Sequence, residues 1–156
     1  MAKQLIHGLS ALNYYGIIHR DIKHTNILCK FKDNKNITLK IIDFGLSKAM
    51  GYHDYADERY GSLSFKAPEI IKGQKYSFNI DIWALGVTLY YSIYIKYPFN
   101  GENKNELKKC IISFNPDTDL YIQKGDQNDY FNRILLQCFT KDPNCRPNAS
   151  DLEKVE

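Results

Sequence analysis

Apolar residues recur at helical spacing in two long stretches of the chain. In residues 1–15 they form one stripe, which predicts an amphipathic helix that ends at Gly16. The stripe consists of Met1, Leu5, Leu9 and Leu12. Residues 80–95 are apolar on every side, which is typical of a helix in the centre of a core, and Pro98 is expected to end it.

The remaining pattern predicts a small β ribbon and several weaker helices. Residues 27–29 and 38–42 have the character of two strands, and the polar residues 32–36 between them predict a turn. Asn148, with Asp151 three residues later, predicts the start of a last helix. Further helices are predicted near 102–112 and 129–139. The sequence therefore predicts a mainly α fold with a small antiparallel β ribbon.

Composition narrows the class of protein. A chain of 156 residues is long enough for one domain with a sizeable core. The net charge is +3 without a block of Lys or Arg, so nothing indicates a nucleic-acid partner. The four cysteines are widely spaced, which argues against a zinc site. No signal peptide or membrane-spanning run is visible, and we expect an intracellular, cytoplasmic protein without a membrane partner.

The candidate chemistry is concentrated in residues 19–26, which read HRDIKHTN, and in an acidic residue further on. Asp21 can accept or orient the proton of an attacking hydroxyl. Lys23, two residues later in an extended loop, can contact a transferring phosphate. Asn26 and Asp43 offer oxygen ligands for Mg²⁺. Together these groups are suited to moving a phosphoryl group from a magnesium nucleotide to a hydroxyl.

Each of these residues also has an ordinary explanation, as a turn residue, a surface charge or a loop hydrogen-bonding group. Their order and context favour a site. Residues 43–45 (DFG) follow a predicted strand, and Gly45 permits a backbone swing. Residues 67–69 (APE) close the irregular segment 44–68, and Asp81 lies at the start of the buried helix.

The HRD, DFG and APE motifs resemble the C-terminal lobe of eukaryotic-type protein kinases. The resemblance implies one kinase domain over 1–156 that is incomplete at both ends and lacks its N-terminal lobe. It implies ATP and Mg²⁺ as cofactors, with Asn26 and Asp43 as metal ligands. The implied catalytic residues are Asp21, Lys23, Asn26 and Asp43, and the implied nucleotide contacts are Lys23, Asn26, Leu28 and Asp43. For Leu28, beneath the adenine ring, a plain core role is the alternative.

The resemblance also implies structural roles. His19 and Phe44 are similar to members of the hydrophobic stack that ties the two lobes together. Asp81 is similar to the buried acid that holds the backbone of the catalytic loop. Glu69 and Arg146 resemble a buried ion pair that braces the lobe.

Substrate class follows from the same comparison of motifs. A Lys two residues after the catalytic Asp is the pattern of serine/threonine kinases. Ser62, after Gly61, resembles the residue that contacts this Asp and Lys. The implied partner is therefore a protein substrate with a Ser or Thr hydroxyl. Residues 97–101 (YPFNG) resemble calcium/calmodulin-dependent and plant-type calcium-dependent kinases.

Several positions depart from the kinase pattern. Arg20 would usually pair with a phosphothreonine, and Glu58 stands where that residue often lies. We hypothesise that Glu58 supplies the charge permanently, the alternative being an ordinary solvated carboxylate. Candidate phosphorylation sites in this segment are Tyr52, Tyr55 and Tyr60. Thr25 and Tyr91 replace two acids that would pair with Arg on a peptide, so we predict weak preference for Arg two residues before the target.

The features of an N-terminal lobe are missing from residues 1–156: no Gly-rich loop, no strand Lys and no adenine-binding hinge is found. We therefore expect a serine/threonine kinase fragment that is inactive until an N-lobe or another protein covers the cleft. The alternative is a non-catalytic kinase-like lobe that acts as a protein-binding or regulatory module.

Overall fold

The computed structural model describes residues 1–31, 36–51, 55–56, 60–121 and 129–155. Within these residues it contains seven α-helices and four short strands. The helices are α1 (Ala2–Tyr14), α2 (Pro68–Ile71), α3 (Asn79–Tyr94), α4 (Lys104–Ser113), α5 (Pro116–Asp119), α6 (Asp129–Cys138) and α7 (Ala149–Leu152). The strands are β1 (Ile17–Ile18), β2 (Ile27–Phe31), β3 (Ile37–Ile41) and β4 (Lys48–Ala49). The predicted mainly α fold with a small antiparallel ribbon is confirmed.

The predicted ribbon consists of β2 and β3. They pair antiparallel, with Ile27 opposite Ile41 and Phe31 opposite Ile37. The predicted turn at 32–36 lies outside the described residues except for its last position. Residues 17–18 were also expected to form a short strand, and they form β1. The antiparallel pairing of β1 with β4 was not predicted, because the two segments lie about 30 residues apart.

Helix α1 buries the side chains of Leu5, Ile6 and Leu9 in the core. The expected place of Met1 in the apolar stripe is wrong, because this first residue is 56% exposed. Gly16 follows the helix with φ +68°, and a Cβ there would lie 2.6 Å from the carbonyl oxygen of Met50. A glycine is therefore needed where the chain turns from α1 into β1.

Helix α3 runs through the centre of the core. Every residue from 80 to 90 is buried, as expected for a helix that is apolar on all sides. It ends at Tyr94, before Pro98, because Ile95 adopts a left-handed conformation with φ 53°. Trp83 is fully buried against the rings of Phe99 and Phe139.

The last predicted helix begins as expected. The side-chain oxygen of Asn148 accepts a hydrogen bond of 2.9 Å from the backbone N–H of Asp151 at the start of α7. Helix α4 begins in the same way at Asn103. In the described parts of the chain, no helix has the length and apolar character needed to cross a membrane.

Candidate active site

The loop that carries the HRD motif is held by one buried carboxylate on α3. Asp81 accepts hydrogen bonds from the backbone N–H groups of His19 at 2.7 Å and Arg20 at 2.9 Å. Arg20 has φ 68°, an unfavourable conformation for a residue with a side chain. The two bonds hold the backbone in this strained conformation, so Asp81 fixes the course of the chain into Asp21.

Burial raises the pKa of Asp81 to about 6, from an ordinary value of 3.8. The hydrogen bonds from His19 and Arg20 and the charge of Arg20 act in the opposite direction but do not offset the burial. At neutral pH the carboxylate is therefore ionised and accepts both N–H groups.

This pKa predicts a pH-dependent stability. Between about pH 4 and 6 the unfolded chain releases the Asp81 proton while the folded chain retains it. Raising the pH through this window therefore weakens the folded state. Relative to Asp81→Asn, which does not titrate, the unaltered protein should lose about 2 kcal/mol of stability from pH 4 to 7. Urea unfolding of both proteins across this range measures the difference in their free energies of unfolding. If this difference does not change with pH, or changes in the opposite direction, the pKa of Asp81 is not raised in the folded protein.

Three polar side chains of the loop, and one from outside it, form a connected cluster. The Nζ atom of Lys23 lies 2.7 Å from the Oδ2 atom of Asp21. Asn26 donates from Nδ2 to the same oxygen at 3.0 Å and to the backbone carbonyl of Asp21 at 2.9 Å. Lys23 also donates to the Oγ atom of Ser62 at 3.5 Å. The other carboxylate oxygen of Asp21 is buried without a hydrogen-bond partner.

Ser62 reaches this cluster because Gly61 precedes it. Gly61 has φ +87°, and a Cβ at this position would lie 2.7 Å from the carbonyl oxygen of Arg20. The two backbone segments can approach this closely only if the residue is glycine. The segment before the APE motif is thereby held against the loop.

Asp43 lies at the end of the ribbon beside the same loop. The backbone N–H of Ile42 donates to the carbonyl oxygen of Asn26 at 2.9 Å. Asp43 itself is exposed, has φ 64°, and accepts one hydrogen bond of 3.3 Å from the backbone of Gly45. The register of β2 and β3 therefore brings the DFG segment next to Asn26.

The imidazole of His19 lies against the segment that carries Asp43, through the Ile42 carbonyl and the Phe44 ring. Burial lowers the pKa of His19, and a hydrogen bond of 3.0 Å with the Ile42 carbonyl opposes this shift. The carboxylates of Asp21 and Asp43 also raise this pKa, while Lys23 lowers it. All three charged side chains are therefore close enough to act on a single ring.

Two oxygens at this site fit a hard cation. The amide nitrogen of Asn26 donates to Asp21, and its amide oxygen has no hydrogen bond among the described residues. Asp43 is exposed and accepts its bond from Gly45 through Oδ1. A neutral amide oxygen and a carboxylate are ligands that Mg²⁺ accepts alongside water and phosphate.

Three apolar side chains in or just after the ribbon are exposed. The Phe44 ring contacts the His19 ring edge-to-face, with centroids 5.0 Å apart, and remains 47% exposed. Leu28 on β2 is 51% exposed and Ile42 is 38% exposed. We call these three side chains the ribbon face. Along the chain, Ile42 and Phe44 flank Asp43, and Leu28 lies two residues after Asn26.

Glu69 and Arg146 form a buried two-point ion pair. The guanidinium nitrogens lie 2.7 and 3.1 Å from the two carboxylate oxygens of Glu69, and both residues are 2% exposed. Arg146 also donates to the carbonyl oxygens of Thr140 and Asn79 and lies over the Trp83 ring. The pair joins the APE segment to the chain just before α7.

Arg20 has partners that the sequence did not suggest. Its guanidinium lies over the Tyr60 ring, 4.8 Å from the centroid, and its Nε donates to the carbonyl oxygen of Leu46. Glu58, its hypothesised partner, lies outside the described residues, as does Tyr52. The contacts with Tyr60 and Leu46 come from loops 26 to 40 residues further along the chain and have no local sequence signal.

Comparison with known proteins shows the family of this chain. Residues 1–156 match the model of the protein kinase domain, and the chain belongs to this family. It is 36% identical over 154 residues to a calcium and calcium/calmodulin-dependent serine/threonine-protein kinase of Oryza sativa subsp. japonica, covering 96% of this chain and 29% of the relative. It is also 34% identical over 143 residues to protein kinase C delta type of Rattus norvegicus, covering 91% and 20%.

A third relative is calcium-dependent protein kinase 4 of Plasmodium falciparum (isolate 3D7), 36% identical over 109 residues, with 70% of this chain and 20% of the relative covered. These matches confirm the resemblance to eukaryotic-type serine/threonine kinases. The chain spans between a fifth and three tenths of the length of these three relatives.

Proposed function

We propose that this chain is the C-terminal lobe of a kinase catalytic domain that transfers the γ-phosphate of ATP to a Ser or Thr hydroxyl of a protein. The observation that carries the proposal is the connected cluster of Asp21, Lys23 and Asn26, with Ser62 beside it. A loop with only a structural role does not need an acid, a cation and an amide that bind to one another beside an exposed Asp43.

Each residue of the cluster has a role in this proposal. Asp21 orients the acceptor hydroxyl and takes its proton. Lys23, held by Asp21 and Ser62, places a positive charge next to the acceptor. Asn26 and Asp43 would hold Mg²⁺. The magnesium nucleotide, when bound, supplies the phosphoryl group and neutralises its charge.

The proposal includes a second lobe that covers the ribbon face. Leu28, Ile42 and Phe44 expose apolar surface directly beside the residues proposed to hold the metal. An adenine ring on Leu28 and a second lobe over Phe44 would bury this surface. Burial of apolar area is favourable, by about 25 cal/mol for each Å² removed from water.

The ribbon face also favours the alternative, in which the lobe binds a partner protein and performs no chemistry. Exposed apolar surface is as suitable for a protein partner as for a nucleotide. The two functions differ in what they require of Asp21 and Lys23, because only phosphoryl transfer depends on their charges.

An assay of phosphoryl transfer tests the proposal. The intact protein, with whatever precedes and follows residues 1–156, is incubated with Mg²⁺ and γ-labelled ATP and with peptides that contain Ser, Thr or Tyr. We expect label on Ser and Thr peptides and none on Tyr peptides. Absence of transfer to any peptide contradicts the proposed function and favours the binding module. Rapid turnover by residues 1–156 alone would contradict the need for a second lobe.

A further inference from the structure

The backbone groups on the outer edges of β2 and β3 can be assigned from the register of the ribbon. In an antiparallel pair, residues that exchange hydrogen bonds alternate with residues whose backbone N–H and C=O groups point away from the partner strand. The N–H of Ile42 donates to the carbonyl oxygen of Asn26, which fixes this alternation along both strands. On β2 the outward groups therefore belong to Ile27, Cys29 and Phe31.

The outer edge of β3 is closed by a side chain of α1. The carboxamide of Gln4 accepts a hydrogen bond of 2.8 Å from the N–H of Leu39 and donates one of 2.9 Å to the carbonyl oxygen of Ile37. Leu39 lies opposite Cys29 and Ile37 lies opposite Phe31, so these are outward groups, as the alternation requires. Gln4 therefore occupies the place that a neighbouring strand would take.

The outer edge of β2 has no such cover. The N–H of Ile27 donates to the carbonyl oxygen of His24. The outward groups of Cys29 and Phe31 have no hydrogen-bond partner among the described residues, and we call them the free edge. Both residues are exposed, Phe31 to 68%. Exposed, unpaired backbone donors and acceptors on an edge strand are a template for an added strand.

The side chains beside the free edge differ between the two faces of the ribbon. Cys29 and Phe31 lie on one face, and Lys30 lies on the other face together with Lys40 of β3. Both lysines are exposed, and neither has an ion-pair partner among the described residues. Neither strand contains an Asp or Glu. An added strand would therefore meet apolar surface on one face and positive charge on the other.

We propose that the free edge binds an extended, acidic segment of a partner protein as an added strand. The backbone of this segment exchanges hydrogen bonds with Cys29 and Phe31. An acidic side chain lies beside Lys30, and the apolar side chains before and after it lie beside Cys29 and Phe31, because successive side chains of a strand alternate between its faces. The recognised pattern is an alternation of acidic and apolar residues. The inference does not depend on phosphoryl transfer.

The charge of the edge favours such a partner over a second copy of this chain. If two copies paired antiparallel through their free edges, Lys30 of each copy would lie on the same face of the joined sheet. A lysine on an edge strand is a common means of preventing this self-pairing. A carboxylate on an incoming segment makes a favourable contact with the same lysine.

Fluorescence anisotropy with the intact protein and three labelled peptides tests the inference. The first peptide alternates Val and Glu, and the second alternates Val and Lys. The third is the first with N-methyl groups on the valine nitrogens, which are the donors that would face Cys29 and Phe31. We expect the Val–Glu peptide to bind about tenfold more tightly than either of the others, since they lack the matching charge or the backbone donors.

Two variants locate the binding on β2. Cys29→Pro removes the outward N–H of the free edge, and proline is tolerated there because this N–H takes no part in the pairing with β3. It should weaken binding of the Val–Glu peptide about tenfold. Lys30→Glu should reverse the preference towards the Val–Lys peptide. Lys75→Glu is the matched control, since it makes the same change at an exposed lysine outside the ribbon, and it should leave binding unchanged.

Equal binding of the N-methylated peptide would show that charge alone attracts the segment, and it would overturn the inference even if Cys29→Pro does not fold. Equal binding of the Val–Glu and Val–Lys peptides, or no binding of any peptide, would also overturn it. Sedimentation velocity measures self-association of the intact protein. A dimer that Cys29→Pro dissociates would assign the free edge to a second copy and contradict the proposed partner.

Discussion

Asp21→Asn should reduce kcat for phosphoryl transfer by a factor of about 10² to 10⁴, the usual contribution of a positioned acid or base. The substitution preserves the size of the side chain but removes the charge that holds Lys23 at 2.7 Å and the acceptor for the hydroxyl proton. The binding of nucleotide should change much less, because Asn26 and Asp43 supply the proposed metal ligands.

The matched control for this experiment is Asp151→Asn. Asp151 pairs with Lys154 on the exposed surface of the last helix, far along the chain from the cluster. Surface pairs of this kind contribute about 1 kcal/mol or less, so both activity and stability should remain unchanged. If Asp21→Asn retains more than about a tenth of the activity, Asp21 does not have the role that positioned acids and bases have in other enzymes.

Breaking the buried ion pair should have the largest effect on stability. Glu69→Gln leaves the Arg146 guanidinium buried beside a neutral group, and removing one partner of a buried pair costs about 3 to 5 kcal/mol. Arg146 is fixed by further bonds to Thr140 and Asn79, so it cannot turn towards water without losing them. Denaturant unfolding measures the lost free energy of unfolding. The fluorescence of Trp83 is a suitable signal, because its ring lies against the Arg146 guanidinium.

Two comparisons sharpen the test of this ion pair. Lys154→Met removes one partner of an exposed pair and should cost about 1 kcal/mol or less. The double variant Glu69→Leu with Arg146→Met should be less destabilised than the sum of the single changes, because no uncompensated charge remains buried. A loss with Glu69→Gln no larger than that of Lys154→Met would show that the pair does not brace the fold.

The elements predicted well are those that depend on local periodicity. Helix α1 follows from its apolar stripe, and α3 follows from an apolar surface on all sides. The ribbon strands follow from two apolar runs, and they pair as predicted. These patterns reflect burial of one face or of the whole element, and burial is visible in the order of residue types.

The ends of the elements were predicted less well. Helix α3 ends before Pro98 because Ile95 adopts a left-handed conformation. That conformation is unfavourable for a β-branched residue, so local propensity does not indicate it. The strand pair β1–β4 joins segments 30 residues apart, which no local pattern reveals.

Part of the site followed from motifs. The resemblance to kinases implied that Asp81 holds the backbone of the loop, and the hydrogen bonds from His19 and Arg20 to Asp81 agree with that role. Local sequence pattern alone would not reveal this contact, because the residues are more than 60 positions apart. The position of Tyr60 over Arg20 was not predicted from motif or pattern, since it depends on how the loops pack together.

In the proposed mechanism, residues of two loops hold one metal–nucleotide complex beside Asp21. A crystal structure of the intact protein with Mg²⁺ and a non-hydrolysable ATP analogue tests this arrangement most directly. We expect the amide oxygen of Asn26 and a carboxylate oxygen of Asp43 on the same magnesium ion, each about 2.1 Å from it. A magnesium nucleotide bound elsewhere, or Asn26 and Asp43 without a shared metal, would contradict the proposed mechanism.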